Sequence, residues 1–363
     1  MPKVSIIMAS YNHERFVQEA IQSVLDQSFQ DFELLIIDDA STDNTVNIIK
    51  TFHDTRIHLT VLQQNQGQFV ATNLGLKKAR GEYIGILNSD DAFHPEKLRK
   101  QITFLENNQH IAATFSFTEV INEKSRPFKN ISDTYSFIFN QSNRTRHEWL
   151  NYFFFKGNCL CHASILIRSK CHQELGYYDP RFANCADLQF WIKLTAKYPI
   201  HIIQEKLTKF RMMKKEGNMS GNSIVSLKRM RWEDYQAKLQ FFYGLLSEED
   251  FLMTFPKAKK YIIKEHTPLL TSYLLARLAL DTKNSFFEAM GLRIIFEMMQ
   301  DINIQKQLSN YYDFQYKDLI QWTGKADPFQ MNFLQKSNIL NWAKKAFNKL
   351  RNIHRFMLNK ITP

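Results

Sequence analysis

Residues 1–120 of this chain alternate between short apolar runs and segments with apolar residues at helical spacing. The apolar runs lie at 4–8, 32–37, 59–62, 83–87 and 111–115. Helices are predicted at 16–25, 44–53 and 67–79, and from Pro95, because proline favours the first helical position. Strands that alternate with helices in this way predict an α/β fold with a doubly wound, mainly parallel sheet.

The fourth apolar run ends in an acidic turn, Asn88-Ser89-Asp90-Asp91. Two adjacent carboxylates at the end of a buried strand are costly unless a positive charge compensates them. Because hard oxygen ligands suit Mg²⁺ or Mn²⁺, a divalent cation that carries a phosphate ligand is one explanation. The alternative is a surface turn, where Asp, Asn and Ser are favoured for local reasons. A second acidic pair follows the run at 32–37, and ligands gather at this edge of doubly wound sheets.

Charge and composition argue against several classes of protein. The formal net charge is +11, and seven Lys or Arg residues but no Asp or Glu follow Asp327. No apolar stretch approaches the ~20 residues that span a bilayer, and we see no export leader before the first strand. We therefore expect a cytoplasmic protein whose four cysteines are free thiols. The basic charge is concentrated near the carboxyl terminus without a nucleic-acid-binding motif, so we expect no nucleic-acid partner.

Four strings of residues occur together in the amino-terminal part of the chain. They are Asp-Asp-x-Ser-x-Asp-x-Thr at 38–45, a segment with Asn65-Gln66-Gly67 and Asn73-Leu74-Gly75, Gly81-Glu82-Tyr83-Ile84, and the acidic turn at 88–91. In combination they resemble the family-2 glycosyltransferases, inverting enzymes with the nucleotide-sugar-binding GT-A fold. The resemblance covers residues 3 to about 220. It implies an enzyme that uses a nucleotide-diphosphate sugar, with UDP as the commonest donor nucleotide.

The resemblance also implies which residues bind the donor. Asp39 is expected to hydrogen-bond the base, and Ser10 and Tyr11 to line the same pocket. Asn73 and Arg211 are also expected to bind the nucleotide. For Arg211 the expected contact is with the diphosphate, because a guanidinium pairs well with phosphate oxygens. The alternative for the acidic string is a local role, in which its Ser and Asp side chains only cap the following helix.

A metal site is implied at the acidic turn, with Asp90 as the main ligand and Asp91 beside it. Bound Mg²⁺ or Mn²⁺ offsets the charge that builds on a departing diphosphate. Two residues depart from the family pattern: Asn88 replaces the first acid of the turn, and Met213 replaces a His that can complete the site. Since a thioether is a poor ligand for a hard cation, we expect a weaker metal site or one completed by water.

The catalytic base is implied by the string at 185–193, which matches the family's acidic pair before a helix with a Trp. Asp187 is the expected base, which takes the proton of the acceptor hydroxyl. The usual first acid of the pair is Ala186 here. The alternative role for Asp187 is a helix N-cap.

The sugar-binding and acceptor side is expected to include Asn88, Asn158, His162 and Trp191. A structural role for His162 is an equally good interpretation, because a lone histidine is often a satisfied core residue.

A cluster of cysteine and histidine residues also raises the question of zinc. The residues are Cys159, Cys161, His162, Cys171 and His172. Their spacing fits no common zinc template, in which paired ligands stand two to four residues apart. We therefore interpret the cysteines as small buried hydrophobic residues.

The chain is expected to contain a catalytic domain at 1–225, a helical domain at 226–332 and a basic amphipathic helix at 333–363. That last helix matches an interfacial helix on an anionic membrane surface. A basic face on a helix packed against the protein is an equally good interpretation. Many family-2 enzymes extend glycans on lipid carriers at the inner face of the membrane, which favours a peripheral location.

The functional prediction is therefore an inverting glycosyltransferase that moves a sugar to a glycan or lipid-linked acceptor in surface polysaccharide or lipopolysaccharide synthesis. A sugar-phosphate nucleotidyltransferase needs a glycine-rich phosphate loop after the first strand, and residues 10–13 contain no glycine. The remaining alternative is a transferase-like binding or scaffold subunit that has lost catalysis. Asn88, Ala186 and Met213 are the residues that keep it open.

Overall fold

The structure is a computed structural model that describes residues 1–128, 138–213, 223–264 and 267–327. The chain divides into two compact units, Met1–Phe241 and Phe242–Pro363. The predicted basic helix at 333–363 lies outside the described residues.

The first unit is built on a mixed sheet that has eight strands within the described residues. The strands are β1 (Val4–Ser10), β2 (Phe32–Asp38), β3 (Ile57–Val61), β4 (Tyr83–Asn88), β5 (Ala92–Phe93), β6 (Ala113–Ile121), β7 (Leu166–Arg168) and β8 (Ile200–Arg211). Their order across the sheet is β3-β2-β1-β4-β7-β6-β8-β5. The pairs β2–β3, β1–β2 and β1–β4 are parallel, which confirms the expected doubly wound arrangement in this half.

The other half of the sheet differs from a simple parallel continuation. The short strand β7 lies between β4 and β6 and is antiparallel to both. The strand predicted at 111–115 begins at Ala113 and continues to Ile121, because its later residues pair with β8. On its other side β8 pairs with the short antiparallel strand β5, which lies at the edge of the sheet.

Helices cover both faces of the parallel strands. The α-helices in the described part of the first unit are α1 (Val17–Leu25), α2 (Thr45–Lys50), α3 (Gln68–Lys78), α4 (Lys97–Asn107), α5 (Arg146–Lys156), α6 (Ser169–Leu175), α7 (Ala186–Lys197) and α8 (Ile224–Leu239). The helix predicted to begin at Pro95 begins at Lys97, since the Pro95 carbonyl accepts a 2.9 Å bond from the Ser28 amide instead.

The core explains why the first strands are continuously apolar. Ile6 and Met8 of β1 share a buried cluster with residues of α1 and α4. Ile7 points to the opposite face, where a Cβ at Gly75 of α3 would lie only 2.5 Å from Ile7 Cγ2. Because both faces are buried, no polar alternation appears along the strand.

The second unit is helical in its described part, as the sequence predicts. Its α-helices are α9 (Glu248–Thr254), α10 (Thr271–Asp281), α11 (Ser285–Met298), α12 (Ile302–Tyr312) and α13 (Tyr316–Lys325). Gly291 lets α11 approach α10 closely, since a Cβ there would lie 2.7 Å from the Ala276 carbonyl oxygen. Within the described residues, no helix has both the length and the apolar composition that crossing a bilayer requires.

Candidate active site

A cavity of about 950 Å³ opens at the carboxyl ends of β1, β2 and β4 in the first unit. We call it the acidic cavity, because Asp39, Asp90 and Asp187 line it from three separate parts of the chain. The other predicted site residues in its lining are Ser10, Tyr11, Asn88, Asn158 and His162. The structure places Asn73, Asp91, Trp191 and Arg211 outside that lining.

Asp39 lies immediately after β2 and is 2% exposed. Its carboxylate accepts backbone hydrogen bonds from Gln66 (2.7 Å) and Gly67 (2.8 Å), at the start of α3. The carboxylate therefore fixes the segment that leads into α3 and still borders the acidic cavity. Its neighbour Asp38 has a different position, since it accepts hydrogen bonds from the Ser10 and Ser41 side chains.

The two acids of the turn after β4 have different environments. Asp91 accepts bonds of 2.8 Å from the Asn88 side chain and from the Arg211 amide, so its carboxylate stabilises the turn. Asp90 lines the acidic cavity, and within the described residues no other side chain donates a hydrogen bond to its carboxylate. Burial raises the pKa of both carboxyls, and the pKa of Asp91 is raised further by the charge of Asp90.

Arg211, predicted to contact the diphosphate, is completely buried behind the acidic turn. Its guanidinium donates to the backbone carbonyl of Asp90 at 2.6 Å and to the Glu19 carboxylate at 2.7 Å. It also donates to the Asn122 carbonyl and the Ser125 hydroxyl. With these partners Arg211 fixes the backbone of Asp90 from outside the cavity lining.

The residues of the acidic turn fit a cation ligand set only in part. In the part of the chain that the structure describes, no group of three or more His, Cys, Asp or Glu side chains is arranged to hold a metal. Asp90 is nevertheless a buried carboxylate that faces the acidic cavity. A hard cation bound there would compensate its negative charge. The donor set is consistent with one protein carboxylate, the rest being supplied by a diphosphate or water.

Asp187 lies in the first turn of α7 and is 8% exposed. One oxygen accepts a 2.7 Å bond from the Leu188 amide, and the other accepts a 2.7 Å bond from the Asn158 side chain. Burial raises its pKa from 3.8 to about 6, and these two hydrogen bonds oppose that shift. Cys185 occupies the N-cap position, so the predicted alternative, Asp187 as the N-cap, is wrong.

His162 lines the acidic cavity and lies within an aromatic cluster. Its Nε2 is 3.0 Å from the Tyr178 hydroxyl, and burial lowers its pKa to about 3, with a smaller effect from His172. Trp191 is fully buried, with its ring centroid 6.0 Å from that of His162. Asn73 pairs with the backbone of Tyr178 through bonds of 2.7 and 3.1 Å. Asn73 and Trp191 therefore support the wall that carries His162.

The structure also shows lining residues that the sequence analysis did not identify. His13, after β1, has its Nδ1 2.7 Å from the Ser89 hydroxyl and connects the first loop to the acidic turn. Gln68 of α3 donates a 3.0 Å bond to Asn88. The position of His13 in the loop after the first apolar run was an available signal, whereas Gln68 belongs to no recognisable pattern.

Four of the five residues in the cysteine and histidine cluster are buried in the structure. Cys159, Cys161 and Cys171 are buried free thiols, and burial raises their pKa. Among the described residues no metal-binding group includes them. Their interpretation as small buried hydrophobic residues therefore agrees with the structure.

Comparison with protein families gives one matching model, glycosyl transferase family 2, over residues 5–170. An uncharacterized glycosyltransferase of Methanocaldococcus jannaschii is 32% identical over 224 residues, which are 60% of this chain and 74% of that protein. The putative glycosyltransferase EpsE of Bacillus subtilis is 30% identical over 220 residues, which are 58% of this chain and 73% of that protein. The putative teichuronic acid biosynthesis glycosyltransferase TuaG of Bacillus subtilis is 41% identical over 119 residues, which are 32% of this chain and 46% of that protein.

Solved structures with the same fold include S. aureus TarS 1–349 in complex with UDP. The TM-score is 0.54 at 17% identity, and the match covers 83% of this chain and 88% of that chain. The complex of the same protein with UDP-GlcNAc gives a TM-score of 0.52 at 19% identity, with coverage of 83% and 89%. The expected GT-A fold is thereby confirmed.

Proposed function

Because this chain belongs to glycosyl transferase family 2, we propose that it transfers a sugar from a nucleotide-diphosphate sugar to a hydroxyl group, with inversion at the anomeric carbon. The observation that carries this proposal is the lining of the acidic cavity by Asp39, Asp90 and Asp187. The three acids come from the ends of β2 and β4 and from the start of α7, and one cavity connects them.

The donor binds with its nucleotide near β1 and β2 and its diphosphate near β4. Asp39, Ser10 and Tyr11 border the nucleotide part of the acidic cavity, and Asp90 borders the diphosphate part. A UDP-sugar is the proposed donor, which is supported by the complexes of TarS, a protein of the same fold, with UDP and UDP-GlcNAc.

Asp187 is the proposed general base. Its carboxylate accepts the proton of the acceptor hydroxyl while the oxygen forms a bond to the anomeric carbon. The bond between that carbon and the diphosphate breaks on the opposite face, and the nucleoside diphosphate leaves. A pKa of about 6 keeps Asp187 ionised at neutral pH and makes it a stronger base than an exposed aspartate.

Asp90 is the proposed protein ligand for Mg²⁺ or Mn²⁺. When bound, such a cation supplies positive charge to the leaving diphosphate. Asp91 and Arg211 contribute by fixing the turn, since both bind its backbone or its Asn88 side chain. Asn158 and His162 border the side where the sugar and the acceptor meet.

The proposed acceptor is a glycan or a lipid-linked glycan of a bacterial surface polysaccharide or lipopolysaccharide. Its support is the similarity to TuaG, which is named for teichuronic acid biosynthesis. A cytoplasmic location with peripheral binding to an anionic membrane through 333–363 completes the proposal, and it rests on the sequence of that segment alone.

The test is a screen of UDP-, GDP- and TDP-sugars for metal-dependent hydrolysis and transfer by the full chain. Asp187→Ala and Asp90→Ala are expected to lose activity, and Asp31→Asn, which changes an exposed acid, is expected to retain it. Full activity in both site variants contradicts the site assignment. If the wild-type chain binds and hydrolyses no donor, a scaffold role replaces the transferase proposal.

A further inference from the structure

Glu233 of α8 is a buried carboxylate whose side chain contacts the loop before α7. It is not among the residues to which the proposed reaction assigns a role. It is 5% exposed. Its Oε1 accepts a hydrogen bond from the Ala183 amide (3.0 Å), and its Oε2 accepts bonds from the amides of Asn184 (2.7 Å) and Cys185 (2.9 Å). One side chain thus binds three consecutive backbone N–H groups.

These three amides lead directly into the helix that carries the proposed base. Helix amino termini leave backbone N–H groups without intrahelical partners, and a local Ser, Thr, Asp or Asn usually binds one of them. At α7 the N-cap residue is Cys185, whose side chain makes no capping bond within the described part of the chain. Glu233 binds the amide of this N-cap residue and the two amides before it, and its negative charge lies near the positive end of the α7 dipole.

Other contacts connect the same two helices. The Cys185 thiol donates to the Met230 carbonyl at 3.7 Å, and the Gln240 side chain donates to the Gln189 carbonyl at 3.2 Å. The start of α7 is therefore attached to α8 on both sides of Asp187 in sequence. Moving or loosening α8 displaces the residues that present Asp187.

Glu233 is a charged neighbour that raises the pKa of Asp187, although its effect is smaller than that of burial. Burial raises the pKa of Cys185 and Tyr178, so both stay protonated and uncharged near neutral pH. Asp234 and Lys238 form an ion pair of 2.7 Å with each other. Within the described residues, Glu233 has no ion pair that compensates its charge.

We propose that Glu233 is a positioning residue for the transfer reaction, one that fixes the loop at 183–185 and so places Asp187 in the acidic cavity. The inference rests on the proposed role of Asp187 as base. Burial is the main reason for the raised pKa of Asp187, and the charge of Glu233 adds to it.

The test compares Glu233→Gln with the wild-type chain and with Glu249→Gln, which changes an exposed carboxylate of α9. Hydrogen exchange measured by mass spectrometry is expected to rise about tenfold at the 183–185 amides in Glu233→Gln. A ¹³C NMR titration of Asp187 is expected to show a midpoint at lower pH in this variant. Removing a neighbouring negative charge favours the carboxylate, and this shift does not follow from a structural role alone.

Kinetics with UDP-GlcNAc as the probe add a third measurement. Glu233→Gln is expected to lower kcat about tenfold with little change in donor KM, and to move the acid limb of the pH–rate profile to lower pH. Glu233→Ala is expected to lower kcat further. If Glu233→Ala does not fold, the test rests on Glu233→Gln, which preserves the side-chain volume.

Unchanged exchange at 183–185 together with an unchanged Asp187 midpoint in folded Glu233→Gln overturns the inference, with or without turnover of the probe. The inference and the proposed function fail in different ways. Full activity of Asp187→Asn contradicts the assigned base. Loss of activity in Asp187→Asn, with Glu233→Gln identical to wild type, contradicts only the role of Glu233.

Discussion

The side-chain amide of Asn158 donates a 2.7 Å hydrogen bond to the carboxylate of Asp187. Asn158 lies two residues after the end of α5, and its side-chain oxygen Oδ1 accepts a 3.0 Å bond from the Leu160 backbone amide. The amide is therefore fixed in orientation, with its N–H directed at the proposed base. It stabilises the ionised form of Asp187, against the effect of burial.

Asn158→Ala is expected to lower kcat/KM about tenfold, because it removes a hydrogen bond to a buried charged group. It is also expected to raise the pKa of Asp187, so the acid limb of the pH–rate profile moves to higher pH. This direction is opposite to the one expected for Glu233→Gln. The measurement is kcat/KM between pH 5 and 8, with the exposed Asn47→Ala as control. An acid limb at the wild-type position would show that Asn158 does not act on the base.

Asp187→Asn is expected to increase stability at neutral pH while it abolishes transfer. The folded-state pKa of about 6 exceeds the ordinary 3.8, so the folded protein binds the proton more tightly. The contribution of Asp187 to stability is therefore greatest below pH 4, and it is lost as pH rises through 6. The shift corresponds to about 3 kcal/mol at pH 7.5.

Denaturant unfolding of both proteins at pH 7.5 and pH 4 measures this difference. The free energy of unfolding of Asp187→Asn is expected to exceed that of the wild type at pH 7.5, and the difference is expected to shrink at pH 4. An equal gain at both pH values would mean that the charge of Asp187 is not its cause.

Arg211→Gln is expected to reduce the free energy of unfolding by about 3 kcal/mol, since it removes a fully buried guanidinium and leaves acceptors beneath the acidic turn without donors. Arg181→Gln is the matched control, because Arg181 forms an ion pair with Asp179 but its side chain is 84% exposed. The control is expected to cost less than about 1 kcal/mol. Similar losses in the two variants would contradict the supporting role of Arg211.

Asp90→Asn and Asp91→Ala are expected to have different effects, although the two acids are adjacent. Asp90 borders the acidic cavity, so Asp90→Asn is expected to weaken Mn²⁺ dependence of donor hydrolysis with little change in Tm. Asp91 accepts bonds from the Asn88 side chain and the Arg211 backbone amide, so Asp91→Ala, which removes both acceptors, is expected to lower Tm by several degrees. Metal titrations and thermal unfolding measure the two effects, and the opposite pattern would reverse the assigned roles.

Deletion of 333–363 is expected to abolish flotation with vesicles that contain anionic phospholipid. That segment has an apolar stripe and seven Lys or Arg residues, which favour an anionic surface. Vesicles of neutral phosphatidylcholine are the control. Unchanged flotation after the deletion would exclude a membrane role for this segment.

The sequence by itself determined the fold class and three of the acids that line the cavity, Asp39, Asp90 and Asp187. Asp39 and Asp90 lie within three residues of the ends of two apolar runs, and parallel strands end at one edge of a sheet, so the local pattern was enough to predict that they lie close together. Asp187 was predicted from the string at 185–193, whose residues are neighbours in sequence at the start of α7.

Only the tertiary structure decided which neighbouring residues face the acidic cavity and which support it. Arg211 bonds to Glu19 and to the Asp90 backbone, and Glu233 binds amides about 50 residues earlier in the chain. The insertion of β7 between β4 and β6 was likewise not visible in the sequence. The physical reason is that strand and helix patterns depend on near neighbours in sequence. The orientation of a side chain and the partners of a buried charge depend on elements that meet only after the chain has folded.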